Sequence, residues 1–298
     1  MPSASWSHAK SRLLFGSGFR KILVVVKQTA YESYIQLKTQ GKAPLAVRWE
    51  RLKNRHDIHR ECVASVQRVL GKQKAEYAIV GRQELDPPHG ASRLVDLVIS
   101  VGGDGTALSS SHFLGDNIPL LGVNSDPTRA EEKSSTKRTD ERRSYGALCM
   151  CTALDVEKEL PKILLREVEP QRRTRLQASI KSTFTETKLP PSLNDVLLAN
   201  PNPAAVSRFR LGLVPAEGSS AREWFNVWSS GMWVCTATGS TASMKAAGGQ
   251  VMAQDSSELQ YMIREHMVEE DMEHVRERGQ GIVPQGSKIE IRWNSKVG

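Results

Sequence analysis

The sequence holds only four cysteines in 298 residues, Cys62, Cys149, Cys151 and Cys235, and no two form a C-x-x-C pair. So sparse a set excludes a disulfide-stapled fold and fits a reducing compartment. A metal site on Cys149 and Cys151 would need two more ligands, and none stands near them, so packed thiols are expected. Long apolar runs are missing too. None is longer than Ile22 to Val26, far short of the ~20 residues of a membrane-crossing helix, and there is no apolar core for a secretory signal. Aromatic residues make up 6% of the chain and do not interleave with the scattered basic ones, which disfavours nucleic acid as a partner. Acidic residues are absent from Met1 to Ala30, where Lys10, Arg12, Arg20, Lys21 and Lys27 mingle with serines. That composition suits either an organellar transit peptide or a frayed basic end, so residues 1–20 are read as a flexible or targeting segment. An intracellular location follows, in the cytosol, mitochondrion, chloroplast or peroxisome.

What is present points to an anionic ligand and two domains. The formal charge is +8, which suits a nucleotide. Ile22–Val26, Glu76–Val80, Leu94–Val101 and Ile118–Val123 read as buried strands. Asp57 to Leu70, Thr106 to Leu114 and Leu154 to Leu165 read as helices, the first ending at Gly71 and the last interrupted by Pro161. The pair His56 and His59 is expected on a solvated face. Tyr145 to Thr152 looks strand-like, and Thr128 to Arg143 reads as a charged surface loop. This alternation predicts an α/β domain with a doubly wound parallel sheet over residues 21–165. Beyond it, Arg175–Thr185, Asp195–Ala199, Ser207–Val214, Trp224–Trp228, Met232–Cys235 and Lys288–Trp293 predict a β-rich domain over residues 166–298.

Three short motifs carry chemistry. Gly102, Gly103, Asp104, Gly105 and Thr106 follow a buried strand and precede a helix, the place where open α/β sheets bind ligands. Glycines let a polyphosphate approach the backbone, and Asp104 can hold a hydroxyl nucleophile or magnesium. The plain alternative is a tight turn that needs positive φ. The second motif is Thr236, Ala237, Thr238, Gly239, Ser240, Thr241 and Ala242, whose hydroxyls could meet a ribose or phosphate. A helix could start after Gly239, capped by Ser240 or Thr241. The third is Asn194 beside Asp195, an amide and a carboxylate suited to a ribose diol or an adenine edge.

Together these motifs resemble the NAD kinase family, and several stretches, such as Val101–Phe113 and Ser229–Gly249, resemble its plant NADH kinase group in particular. The resemblance covers roughly residues 20 to 298. It implies ATP-dependent phosphorylation of the adenosine 2′-hydroxyl of NAD(H), with Asp104 taking the proton. It implies that Gly102, Gly103, Gly105 and Thr106 face ATP phosphates. Asn194, Asp195, Thr236, Thr238, Gly239, Ser240, Thr241 and Ala242 would bind NAD(H). Mg²⁺ would come with ATP, with no protein side chain assigned to it, and the protein would be a homodimer without membrane attachment. The chain departs from the family at Asp195, where many members have Glu, and at Ala237, often Pro. Trp293 to Gly298 resembles a point where relatives continue into a further β segment. Two other readings stay open here: a truncated dinucleotide-binding member with little activity, and a lipid kinase sharing the Gly-Gly-Asp-Gly turn.

Overall fold

The computed structural model describes residues 18–44, 47–85, 95–127, 145–216, 223–268 and 278–294. The proposed targeting segment, apart from residues 18–20, and the charged loop expected at 128–143 lie outside the described residues. The chain divides into two compact units, Met1–Pro170 and Gln171–Gly298.

The first unit is a parallel sheet of β1 (Lys21–Val26), β2 (Glu76–Gly81), β3 (Leu97–Gly102), β4 (Leu120–Asn124) and β5 (Cys151–Thr152), in the order β2-β1-β3-β4-β5. β3 is buried along its whole length, as expected of a strand covered on both faces. One face packs on α2 (Trp49–Lys72) and α4 (Val156–Leu164): Val66, Leu70, Leu160 and Ile163 meet Ile22, Val24, Ile99 and Val101. On the other face Leu23, Val25 and Val98 pack with Leu114. Each such aliphatic side chain contributes about 1.5–3 kcal/mol when fully buried.

Several local expectations are corrected. α2 begins eight residues before Asp57 and runs through Gly71, because no neighbouring atom or backbone strain stops it there. Its His59 is buried and not solvated, and His56 is half-buried with Nδ1 3.0 Å from the Thr29 hydroxyl. Pro161 sits inside α4 without ending it; burial of Val156, Leu160, Ile163 and Leu164 outweighs the one lost backbone bond. From Tyr145 to Thr152 only Cys151 and Thr152 pair as strand. The preceding residues turn at Gly146, which has φ +71°, so Tyr145 and Met150 stay exposed. A helix the apolar pattern did not announce, α1 (Ala30–Thr39), buries no residue. It is started by a capping box: Thr29 Oγ1 accepts from the Glu32 amide and Glu32 accepts from the Thr29 amide.

The second unit is antiparallel. β9 (Ser207–Val214) lies between β10 (Glu223–Ser229) and β14 (Lys288–Trp293). A second sheet has the order β13 (Gln280–Val283), β12 (Leu259–Arg264), β11 (Gly231–Thr236), β8 (Asp195–Leu198). Phe209, Leu211 and Val227 of the first sheet share one core with Met232, Val234, Tyr261 and Ile263 of the other. β6 (Ser179–Lys181) and β7 (Glu186–Lys188) form a separate hairpin. On the outer face of β9 the Trp224 ring lies across Gly212, where a Cβ would come within 2.7 Å, and Arg292 stacks 4.4 Å from the ring centroid. Aromatic and basic residues therefore interleave across strands. Among the described residues no helix is long and apolar enough to cross a membrane.

Candidate functional site

Strand order alone marks one place in the first unit. β1 is followed by β2 on one side, whereas β3 lies on its other side, so the chain switches direction between β1 and β3. Ligands of doubly wound sheets bind at the carboxyl ends of the strands flanking such a switch. Gly102 to Thr106 occupy that end of β3, and Asp104 opens α3 (Asp104–Ser111). The positive-φ turn is not what the glycines supply. Gly103 is extended, at φ −130° and ψ −168°. Gly102 is needed for space, since a Cβ there would lie 2.2 Å from Thr106 Oγ1, whereas Gly105 is exposed with no neighbour within 4 Å. The Leu148 amide donates to Asp104 Oδ1 at 2.8 Å, which fixes the half-buried carboxylate at the rim. That donor comes from the turn at Gly146, which packs on β4 because Gly122 has no side chain: a Cβ there would meet Leu148 O at 2.4 Å.

Behind this turn stands a support that motif reading did not find. The Ser125 amide donates to Gly102 O at 2.8 Å, and Ser125 Oγ shares a 2.8 Å hydrogen bond with His59 Nδ1. Both residues are buried. Burial, reinforced by the Lys27 charge, pushes the His59 imidazole down to about 4, so it is neutral at pH 7. Beside it, Lys27, Thr29, Tyr31, Leu52, Arg55 and Asp126 line a cavity of about 150 Å³. Arg55 Nε lies 3.8 Å from Asp126 Oδ2. Among the described residues no group of three His, Cys, Asp or Glu side chains could hold a metal ion.

In the second unit the other two motifs dock on each other. Thr236 at the end of β11 donates its hydroxyl to Leu193 O at 2.6 Å and its amide to Asn194 O at 2.9 Å. Gly239 abuts the same peptide: a Cβ there would lie 2.1 Å from Asn194 O. Ser240 Oγ donates to Ala237 O at 2.7 Å and accepts from the Met252 amide at 2.9 Å. Thr236 and Ser240 are fully buried, Thr238 nearly so, and Thr241 is exposed beside a half-buried Ala242. Neither Ser240 nor Thr241 caps a helix. The chain makes a 3₁₀ turn at Gly239–Thr241, and α5 (Ser243–Ala246) follows Ala242 without a side-chain cap. Asp195 pairs with Cys235 across β8 and β11; burial raises its carboxyl, while burial and Asp195 push the Cys235 thiol up to about 11. The structure thus groups Gly102 to Thr106 in one unit, and Asn194, Asp195 and Thr236 to Ala242 in the other.

Known proteins share both the sequence and this fold. Residues 23–126 match the model of the ATP-NAD kinase N-terminal domain. A probable NADH kinase of Oryza sativa is 40% identical over 248 residues, spanning 83% of this chain and 74% of that relative. The NADH kinase of Arabidopsis thaliana is 41% identical over 251 residues, spanning 83% and 76%. This chain belongs to the NAD kinase family. Two solved structures share the fold: yeast NADH kinase complexed with NADH, at TM-score 0.62 and 16% identity over 95% of this chain and 74% of the other, and an Archaeoglobus fulgidus NAD kinase in complex with ATP, at 0.58 and 18% over 92% and 81%. As a member of the NAD kinase family the chain has the expected parallel α/β unit followed by antiparallel β sheets.

Proposed function

We propose that this chain is an NAD(H) kinase, transferring the γ-phosphoryl group of ATP to the adenosine 2′-hydroxyl of NAD(H). The observation that carries the chemistry is the Asp104 carboxylate, held by the Leu148 amide at the carboxyl end of β3 beside the switch point. In the reaction the bond from the γ-phosphorus to the β–γ bridging oxygen breaks, a bond to the 2′-oxygen forms, the 2′ proton passes to Asp104, and ADP leaves. Little covalent help is needed, so positioning and charge neutralisation dominate. The open flank at Gly105 would admit phosphates, with amides at the start of α3 directed to them. Thr238, Thr241, Ala242 and the Asn194–Asp195 pair would contact NAD(H). Thr236, Gly239 and Ser240 would serve it by holding that surface in shape. Magnesium would arrive on the ATP phosphates and offset their charge.

The relatives named NADH kinase support NADH as well as NAD as acceptor. We read the protein as an intracellular homodimer, its four cysteines all unpaired thiols. Purified protein with ATP, magnesium and NAD or NADH tests the function directly. NADP or NADPH should form in step with ADP. Dinucleotide binding without any NADP(H), under conditions where a relative turns over, would overturn the assignment and leave a binding protein.

A further inference from the structure

β2 closes one edge of the parallel sheet, and among the described residues β1 is its single neighbour. Between Glu76 and Gly81 the strand is apolar, yet Tyr77 is 36% and Ile79 38% exposed. The Glu76 amide donates to Arg20 O at 2.8 Å and so points into β1. Backbone groups alternate sides along a strand, so Ala78 and Val80 also turn to β1, whereas Tyr77, Ile79 and Gly81 turn outward. The outward amide of Gly81 is taken by Glu84 Oε2 at 2.9 Å. Among the described residues the outward amides and carbonyls of Tyr77 and Ile79 have no partner. No proline or lysine lies within β2, and its pairing with β1 is unbroken by a bulge. An open edge without these protections is a template for a further strand.

The charges at its two ends select the strand. Glu76 opens β2 and Arg82 follows it; both are exposed, and neither makes an ion pair among the described residues. Consider a second copy laid antiparallel about a two-fold axis at Ile79. Ile79 then faces Ile79, Tyr77 faces Gly81 and Glu76 faces Arg82 of the other copy. Ile79 would exchange both backbone bonds with its counterpart, and the Tyr77 amide would donate to Gly81 O. The Tyr77 ring would lie over a residue without a side chain, and opposite charges facing across strands are favourable. Tyr77 and Ile79 stand beside Ile22 and Val24, which pack on α2, so the pairing would carry that apolar face across the axis. The two nearest registers that keep the outward groups paired bring like charges together. With the axis at Ala78, Arg82 meets Lys74; with it at Val80, Glu76 meets Glu84. Of the three, only the register at Ile79 is self-complementary in backbone, shape and charge.

We propose that β2 is the docking edge for a second copy of this chain, joining two five-stranded sheets into one continuous sheet by antiparallel β2–β2 pairing. The inference rests on the homodimer reading above, to which it gives a surface, and not on the phosphoryl transfer.

Sedimentation velocity of the full chain over a dilution series tests it, for wild type, Ile79→Lys, Glu76→Arg, Arg82→Glu and the double variant Glu76→Arg/Arg82→Glu. Wild type should be dimeric at the concentrated end. Ile79→Lys sets like charges on the two-fold axis at an exposed position and should be monomeric there. Each single charge reversal should weaken the dimer about tenfold, and the double variant should recover it, because the pairs re-form with their signs exchanged. Hydrogen exchange reads the backbone independently: the Tyr77 and Ile79 amides should be protected in the dimer and exchange quickly after dilution. A monomeric wild type overturns the homodimer and this surface together. A dimer that survives Ile79→Lys and both single reversals overturns the surface alone and leaves the dimer to another one. Protection of Tyr77 and Ile79 in a monomer overturns it as well and gives the edge to a segment of the same chain. If Ile79→Lys fails to fold, the two reversals and their mutual rescue still decide.

Discussion

At Gly102–Thr106 one glycine, Gly102, clears space for a neighbour and a single carboxylate is left at the rim. At Thr236–Ala242 the hydroxyls are turned inward, to Leu193 O, Ala237 O and Thr238 O. The first segment is braced from outside, by Ser125 and His59 behind it and by Leu148 on Asp104. The second braces itself and the Asn194 peptide against which Gly239 packs. Similar residues thus serve different ends. On the proposed function, chemistry would need one side chain fixed where charge moves, and recognition of a dinucleotide would need a surface whose shape does not yield.

The largest expected effect breaks the first segment at its one carboxylate. Asp104→Asn keeps the acceptor for the Leu148 amide but cannot take a proton. The variant should lose a factor of about 10²–10⁴ in kcat, the usual span of general-base catalysis, with NAD(H) affinity spared. Steady-state kinetics beside NADH titration checks it. Retention of more than about a tenth of kcat, set against that span, would remove Asp104 from the role of base.

The next effect separates outer from inner bracing by pH. His59 is neutral in the folded protein, with its pKa pushed from 6.5 down to about 4, chiefly by burial. The unfolded chain therefore takes up a proton on this residue near 6.5 while the folded chain resists until about 4. Its contribution is intact above pH 6.5 and drains away as pH falls through that window, by up to ~3 kcal/mol at about 1.4 kcal/mol per unit. Urea unfolding from pH 7.5 to 4.5 should show wild type losing stability that His59→Asn, which has nothing to titrate, does not lose. Parallel pH curves would show that the His59–Ser125 contact does not brace the turn.

The second segment has its own test. Thr236→Val keeps the shape but deletes the hydroxyl that donates to Leu193 O and accepts from the Gly239 amide. Orphaned buried groups should lower stability by about 1–3 kcal/mol, seen as a lower melting temperature, with kcat unchanged and the KM for NADH raised. An unchanged melting temperature with a raised KM would mean that the hydroxyl meets the ligand directly, and the contrast between the two segments would fail.

How much of this could be read beforehand depends on whether the signal is local. β1, β3, β9 and β14 are runs of β-branched or alternating residues, and periodicity exposes them. α1 buries nothing and its apolar period is weak; Thr29 and Glu32, three apart, announce it better. β12 was hidden because Gln260, buried at 4% exposure, interrupts its apolar positions, and β13 is only four residues long. Asp104 was legible because strand, glycines and helix are contiguous. Lys27, Arg55, Ser125 and Asp126 were not, since they come from the ends of β1 and β4 and from α2. No spacing brings them together; strand order does. His59 was misread for the same reason, its partner being 66 residues away.

The smallest effect is the sharpest test of what glycine does at the first segment. Gly105→Ala places a methyl where no atom lies within 4 Å apart from its chain neighbours and its own helix backbone, at the second position of α3. Alanine is favoured over glycine in a helix by up to about 1 kcal/mol, so the melting temperature should hold or rise slightly. Gly102→Ala is the counterpart. Its methyl would lie 2.2 Å from Thr106 Oγ1, and overpacking of this kind costs about 1–3 kcal/mol. The two glycines are therefore separated by stability alone: one is required by the fold and the other is not. What Gly105 does for function is then read without interference from folding. A raised KM for ATP in a variant at least as stable as wild type means that the exposed flank is kept bare for phosphate. An unchanged KM would show that only the carboxylate beside it matters.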